Sequence, residues 1–215
     1  TREFKEVADV GAALAKLDDV VGTSVQPEVA LIQDWENEWA VNTGAKVYLG
    51  EGVKYRQTCT AHYEPFWRAG VPIDVVDQTV ALDAYKLVVV PMAYMLRPGF
   101  AAKLKGYVEN GGTAVMTYWS AVVDESDLCY LGGVPGDGLR EVFGVWEEES
   151  QSYYSHESVG IGAVAGNALG LSGPYKAIDT CSVIHAEGSD VLATFSDQYF
   201  AGSPALTVNA FGKGK

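Results

Sequence analysis

Tyr85-Lys86-Leu87-Val88-Val89-Val90 is the stretch on which the fold turns, apolar at every position except Lys86. A strand with one face in water alternates polar and apolar side chains. A continuous apolar run of strand length needs cover on both faces, as in a parallel sheet flanked by helices. Just upstream, Ile73-Asp74-Val75-Val76 reads as a short strand. Downstream, residues 98–110 read as a helix begun by Pro98 and closed by Gly111-Gly112, and Thr113-Ala114-Val115-Met116-Thr117 as the next strand. Further back, Val29-Ala30-Leu31-Ile32 is a buried strand closing on Asp34. Residues 53–69 form a helix with Val53, Tyr63, Phe66 and Trp67 among its apolar positions and Gly70 as its stop. Strands alternating with helices predict an α/β fold: an open, mostly parallel sheet with helices on both faces.

The two ends have another texture. Phe4, Val7, Val10, Leu14, Leu17 and Val21 make a helical stripe closed by Gly22, Thr23 and Ser24. Beyond residue 120, Gly132, Gly133, Pro135, Gly136 and Gly138 form a loop, and Leu139 to Phe143 one helical turn. Four β-prone runs follow, over 175–178, 181–186, 191–195 and 205–211, and predict antiparallel strands appended to the sheet. The chain opens on Thr1 inside a helical pattern and stops at Lys215 beside a β-like run. The expectation is a piece of a larger polypeptide, with its first helix leading in from a preceding domain.

With 215 residues, 48% of them hydrophobic and 20% charged, the chain is long enough for a sizeable core and has a globular composition. Its net charge is −13, and Arg140 is the sole basic residue between Lys105 and Lys176. Such a surface repels phosphate backbones and anionic lipids, which argues against nucleic-acid or membrane partners. No apolar run reaches the roughly 18 residues of a membrane helix. Cys59, Cys129 and Cys181 are far apart and never in a C-x-x-C, the usage of a reducing compartment, so the expected location is the cytoplasm.

In an open α/β sheet ligands sit past the carboxyl ends of the strands. Here those positions are Asp34-Trp35-Glu36-Asn37-Glu38-Trp39, Pro91-Met92-Ala93-Tyr94 and Tyr118-Trp119-Ser120. Asp34 reads as a helix N-cap followed by dipole-favoured acids. That reading is the stronger one, but the two tryptophans and three carboxylates also suit a surface facing a sugar or another subunit. No phosphate-binding glycine motif stands between a strand and a helix, and no metal-ligand spacing occurs, so no cofactor or metal is expected. Ser120 occupies a post-strand position but lacks flanking glycines, and Cys129 lies in the loop beyond. His62, His156 and His185 have no mutual spacing that would assist either. Glu36 and Asp124 are carboxylates near strand ends, in a chain where acids are abundant, and Glu147-Glu148-Glu149 reads as a solvated face.

Taken together, several blocks resemble one family. Residues 29–39, 70–76, 85–91, 107–113, 123–125, 131–136 and 139–145 are similar, in order, to the middle domain of family 42 glycoside hydrolases, the bacterial β-galactosidases. Ala121 stands where that pattern has Gly, and Asp137-Gly138 is a small insertion. The resemblance implies a flavodoxin-like or class I glutamine amidotransferase-like domain that serves homotrimer assembly. It places the catalytic glutamates of a retaining β-galactosidase, and its galactoside, in a TIM barrel outside this chain. Residues 1–24 are then a connector from that barrel, and residues 25–215 a C-terminally truncated trimerisation domain. No residue is assigned a catalytic, cofactor or metal role. Asp34, Trp35, Glu36, Trp39, Tyr94 and Trp119 become candidates for an interface or barrel-facing surface. Two other classes stay open: an amidotransferase-like hydrolase using Ser120 or Cys129, and a sugar-binding module using Trp35 and Trp39.

Overall fold

The computed structural model describes residues 1–44 and 54–215. After a leading helix, α1 (Arg2–Leu14), come β1 (Val29–Ile32), α2 (Trp35–Gly44), α3 (Tyr55–Arg68), β2 (Ile73–Val76), β3 (Leu87–Val90), α4 (Phe100–Glu109), β4 (Thr113–Met116) and α5 (Leu139–Phe143). The four strands pair in parallel in the order β2-β1-β3-β4, with Val29 opposite both Ile73 and Leu87, and Leu87 opposite Thr113. The winding therefore reverses at β1, whose two neighbours are reached through connections on opposite sides.

Strand pleating sends alternate side chains to opposite faces. Ala30, Ile32, Val88 and Val90 meet Phe100, Leu104 and Val108 of α4 and Leu139 and Val142 of α5. Leu31 meets Val41 of α2 and Tyr55 and Cys59 of α3 on the other side. Both faces are covered, which is the condition that the all-apolar β3 demanded. Gly70 ends α3 with a φ of 67°, letting the Gly70 and Val71 amides reach back to the Trp67 and Phe66 carbonyls. Val53, assigned above to this helix, lies outside the described residues.

The structure departs from expectation in three places. The first helix stops at Leu14 rather than Val21, and a single 3₁₀ turn follows at Asp18–Val20. Asp18 and Asp19 are weak helix formers, and the stripe from Phe4 to Val21 is exposed, so no packing extends the helix. Second, the later strands do not join the parallel sheet. β6 (Val159–Ala163), β7 (Tyr175–Ala177), β9 (Asp190–Phe195) and β10 (Pro204–Val208) make a sheet in the order β10-β9-β6-β7. β5 (Val145–Ser152) pairs with β8 (Thr180–Ala186) in a two-stranded ribbon. β6–β7 and β9–β10 follow one another in the chain and pair antiparallel, while β6–β9 and β5–β8 pair across intervening strands.

Third, β5 and β6 carry no clear strand signal, because β5 holds three glutamates and β6 two glycines. Cross-strand pairing with β8 and β9, rather than intrinsic preference, makes them strands. The acidic run is not uniformly solvated either. A register shift between Glu147 and Glu149 leaves Glu148 and Glu149 exposed while Glu147 turns inward.

Among the described residues no helix is long and apolar enough to cross a membrane. Leu104 is fully enclosed between α4 and the sheet, so Leu104→Ala should cost about 2–5 kcal/mol. Val7→Ala on exposed α1 should stay within about 0.5 kcal/mol. Denaturant unfolding of the two variants checks both values.

Candidate functional site

The carboxyl ends of β1, β2, β3 and β4 converge on a cluster of buried polar side chains: Asp34, Asn37, Gln78 and Ser120. Asp34 leaves β1 and caps α2, its Oδ1 accepting from the Glu36 amide at 2.9 Å and the Asn37 amide at 3.4 Å. Its Oδ2 accepts from the Gln78 amide at 3.1 Å. The side chain is 0% exposed and would be costly to bury as a lone charge. Arg97 provides the countercharge in a two-pronged pair, Nε to Oδ2 at 2.7 Å and Nη2 to Oδ1 at 3.0 Å, while Nη1 reaches Glu36 at 3.1 Å. Asp34 in turn holds the Arg97 guanidinium above its ordinary pKa, chiefly through the direct hydrogen bond.

Each remaining member ties loop backbone together. Asn37 donates to the Met92 carbonyl at 3.0 Å and accepts from the Met95 amide at 2.8 Å. Gln78 donates to the Met95 carbonyl at 2.9 Å and accepts from the Arg97 amide at 2.9 Å. Ser120 Oγ accepts from the Ala93 amide at 3.0 Å, and Thr117 Oγ1 from the Met92 amide at 2.8 Å. The Tyr55 hydroxyl accepts from the Asp34 amide at 3.0 Å. Burial raises the pKa of Tyr55, so this phenol stays neutral. The place where an open α/β sheet offers a ligand crevice is thus occupied by the protein's own side chains, each spent on a neighbour.

Ser120 is buried, and its Oγ accepts from the Ala93 amide. The Cys59 thiol lies under α3 and burial pushes its pKa up to about 11, too high for reactivity near neutral pH. Cys129 is exposed, opposite Val123 in an isolated bridge. None of the histidines turns to these groups: His62 Nδ1 lies 2.8 Å from the Thr58 carbonyl, His185 pairs with Glu148 at 2.6 Å, and His156 stacks on Tyr154. Of the carboxylates near strand ends, Glu36 pairs with Arg97, and Asp124 accepts from the Ser126 and Leu128 amides to fold its own loop. Among the described residues no cluster of His, Cys, Asp or Glu could hold a metal ion.

The six interface candidates divide into two groups. Asp34 and Trp119 are buried and Tyr94 is half-buried, with the Tyr94 and Trp119 rings 5.3 Å apart. Trp35, Glu36 and Trp39 project from α2 into solvent, the indoles 56% and 62% exposed. Arg56 of α3 lies over the Trp35 ring at 5.2 Å and donates to Glu38 at 2.8 Å, so the outer face combines two indoles with fixed charges. Asn37, Gln78 and Arg97 escaped the sequence reading. Asn37 stands in the stretch after β1 and Gln78 two residues past β2, but nothing local announces which polar residue a fold will bury.

A family model described as the β-galactosidase trimerisation domain matches residues 27–215. A β-galactosidase of Clostridium perfringens and one of Alicyclobacillus acidocaldarius are each 48% identical over 215 residues, covering 100% of this chain and 31% of theirs. The crystal structure of a cold-adapted β-galactosidase from Rahnella superposes with a TM-score of 0.88 at 44% identity, again over 100% of this chain and 31% of the other. One from Bacillus circulans gives a TM-score of 0.88 at 36% identity, over 100% of this chain and 31% of that one. The chain therefore spans about a third of the length of the curated relatives it matches.

Removing the buried charge should be far more damaging than removing an outer indole. Asp34→Ala strands Arg97 and three backbone amides and should cost about 3–5 kcal/mol in urea unfolding, against under about 1 kcal/mol for Trp39→Ala. A second expectation concerns Glu147, whose carboxyl is raised above its ordinary 4.5, chiefly by burial. The folded chain then keeps a proton that the unfolded chain has lost, so this residue subtracts stability as pH rises above that value. Glu147→Gln should gain on the parent as pH rises above the ordinary carboxylate value of 4.5, and the gain should vanish below it, as read from melting temperatures across pH.

Proposed function

This chain belongs to the family of β-galactosidase trimerisation domains, and on that premise we propose that it is the non-catalytic assembly domain of a homotrimeric β-galactosidase. The observation that carries the non-catalytic reading is the filled crevice: Asp34, Asn37, Gln78, Arg97 and Ser120 all serve neighbouring backbone or one another. Hydrolysis of terminal β-galactosides, with its acid and nucleophile, then belongs to a TIM barrel elsewhere in the longer polypeptide. The strand order β2-β1-β3-β4 supports a flavodoxin-like or class I amidotransferase-like reading of the parallel sheet. The start of the family match at residue 27 supports treating residues 1–24 as the connector from that barrel. The exposed stripe of α1, from Phe4 to Leu14, suits a helix covered by that barrel. An acidic surface and the absence of paired cysteines suit a cytoplasmic enzyme.

The outer face of α2 is the part we assign to contact. Trp35 and Trp39 are large, stiff and exposed, the type of side chain that anchors interfaces, and a neighbouring subunit or the barrel covers them in the assembled enzyme. A cyclic trimer joins one face to a different face of the next copy. Attraction there must outweigh the repulsion between chains of charge −13.

The 215-residue chain should hydrolyse no chromogenic β-galactoside, and the full-length enzyme should scatter light as a trimer. Trp35→Ala with Trp39→Ala should raise the trimer's dissociation constant by about 10-fold or more, and added salt should oppose dissociation by screening like charge. A full-length enzyme that is monomeric or dimeric would remove the assembly role.

A further inference from the structure

Past β4 the chain makes a small hairpin that the sheet does not use. Val123 lies opposite Cys129 in an antiparallel bridge and opposite Met95 in a parallel one, which sets the hairpin beside the segment leaving β3. The Asp124 amide donates to the Leu128 carbonyl at 2.9 Å, and the Tyr130 amide to the Val122 carbonyl at 3.1 Å. Inside the turn, Asp124 Oδ1 accepts from the Ser126 amide at 2.8 Å and the Leu128 amide at 3.1 Å. The returning arm is fixed as well: Tyr130 packs against the main core, and a Cβ on Gly136 would collide with its ring. On this support Leu128 is 63% exposed, and Leu131, next to Tyr130, is fully exposed. Aliphatic side chains held out in water on ordered backbone lose little freedom when a partner covers them.

The hairpin is also acidic. Glu125, Asp127 and Asp137 are exposed, and Arg140, the sole base between Lys105 and Lys176, is held by Glu187. Burial, and then the charges of Asp137, Asp124 and Glu125, push the Tyr130 phenol up to about 12, which gathers these carboxylates around the hairpin. The outer face of α2 offers the complement. Trp35 and Trp39, one helical turn apart, share that face. Arg56 lies over the Trp35 ring with its side chain 58% exposed, and Arg97 pairs with Glu36 beside it, so guanidinium groups border the indoles.

A cyclic trimer needs two unlike patches on every copy, because each patch meets the other and never itself. The indole face is one of them. The α1 stripe is assigned to the barrel, and Leu169, Ile178 and Leu206 face a cavity of about 880 Å³ beside β4. The hairpin has aliphatic tips to set against indoles and carboxylates to set against guanidinium groups. Resting on the trimer reading, we propose that the hairpin carrying Leu128 and Leu131 docks on the Trp35–Trp39 face of the next copy, its leucines against the indoles and its acids toward Arg56. Apolar contact at the centre supplies affinity, and the opposite charges fix which patch meets which.

Mixing two variants of the full-length enzyme tests the pairing. One carries Leu128→Ser with Leu131→Ser, the other Trp35→Ala with Trp39→Ala; all four side chains are exposed, and an unchanged far-UV circular dichroism spectrum shows that both variants fold. Light scattering on dilution should show each trimer dissociating at a concentration about 10-fold higher or more than the parent's. In an equal mixture, a copy without the leucines still offers its indoles to the hairpin of the other variant, and one intact contact returns. Dimers holding one copy of each variant should then form at concentrations where either variant alone is monomeric. Combining all four substitutions in one chain should abolish this rescue. No gain on mixing would overturn the pairing, even with both patches in the interface. A trimer indifferent to the leucine substitutions would overturn the docking alone, whereas a parent that is not a trimer would overturn the assembly reading and this docking with it.

Discussion

A carboxylate with no exposure to water must be given a countercharge and hydrogen bonds, and Asp34 obtains both from segments distant in the chain. Its partners begin α2, follow β2 at Gln78, and follow β3 at Arg97. Because one charged group bonds to all three, the connections leaving β1, β2 and β3 cannot shift independently. Asn37 and Gln78 extend the same logic to Met92 and Met95, and Ser120 brings in the end of β4. Every strand of the parallel sheet is tied at its carboxyl end to this one desolvated cluster.

The cluster also accounts for backbone that would otherwise be unfavourable. Met92, Trp119 and Ala121 have φ values of 43°, 58° and 56°, in the left-handed region that side chains with a Cβ avoid. Their amides or those of their neighbours are held: Met92 by Thr117, Ala93 by Ser120, and Ala121 by the Ala93 carbonyl. Strain at strand ends is common in active sites, yet here the same arrangement supports a packed junction. Glycine, the residue the resemblance led one to expect at position 121, would take this positive φ without a Cβ penalty.

What the molecule turns outward is equally informative. Its exposed large apolar groups include the α1 stripe and the two α2 indoles, both ahead of α3 in the chain, while the cavity beside β4 lies at the other edge of the sheet. Exposed aromatic and aliphatic side chains of this kind suit contact with other protein surfaces, in keeping with the family description.

The local physics of covered strands was readable without coordinates: Leu87 to Val90 had to be sheathed on both faces, Gly70 had to stop a helix, and Asp34 had to cap one. The resemblance of ordered blocks over residues 29–145 identified the family as well. Tertiary structure alone decided the rest. Arg97 gives no local sign of pairing with Asp34, because only the chain's winding around β1 brings residues 63 positions apart together. Glu147 points inward because a bulge set by β8 leaves Glu148 and Glu149 outside, and β5 itself exists through that partner. Helix periodicity and apolar runs are written in neighbouring residues, so sequence determines them. The choice of which polar groups to bury depends on partners across the fold, and no local pattern encodes it.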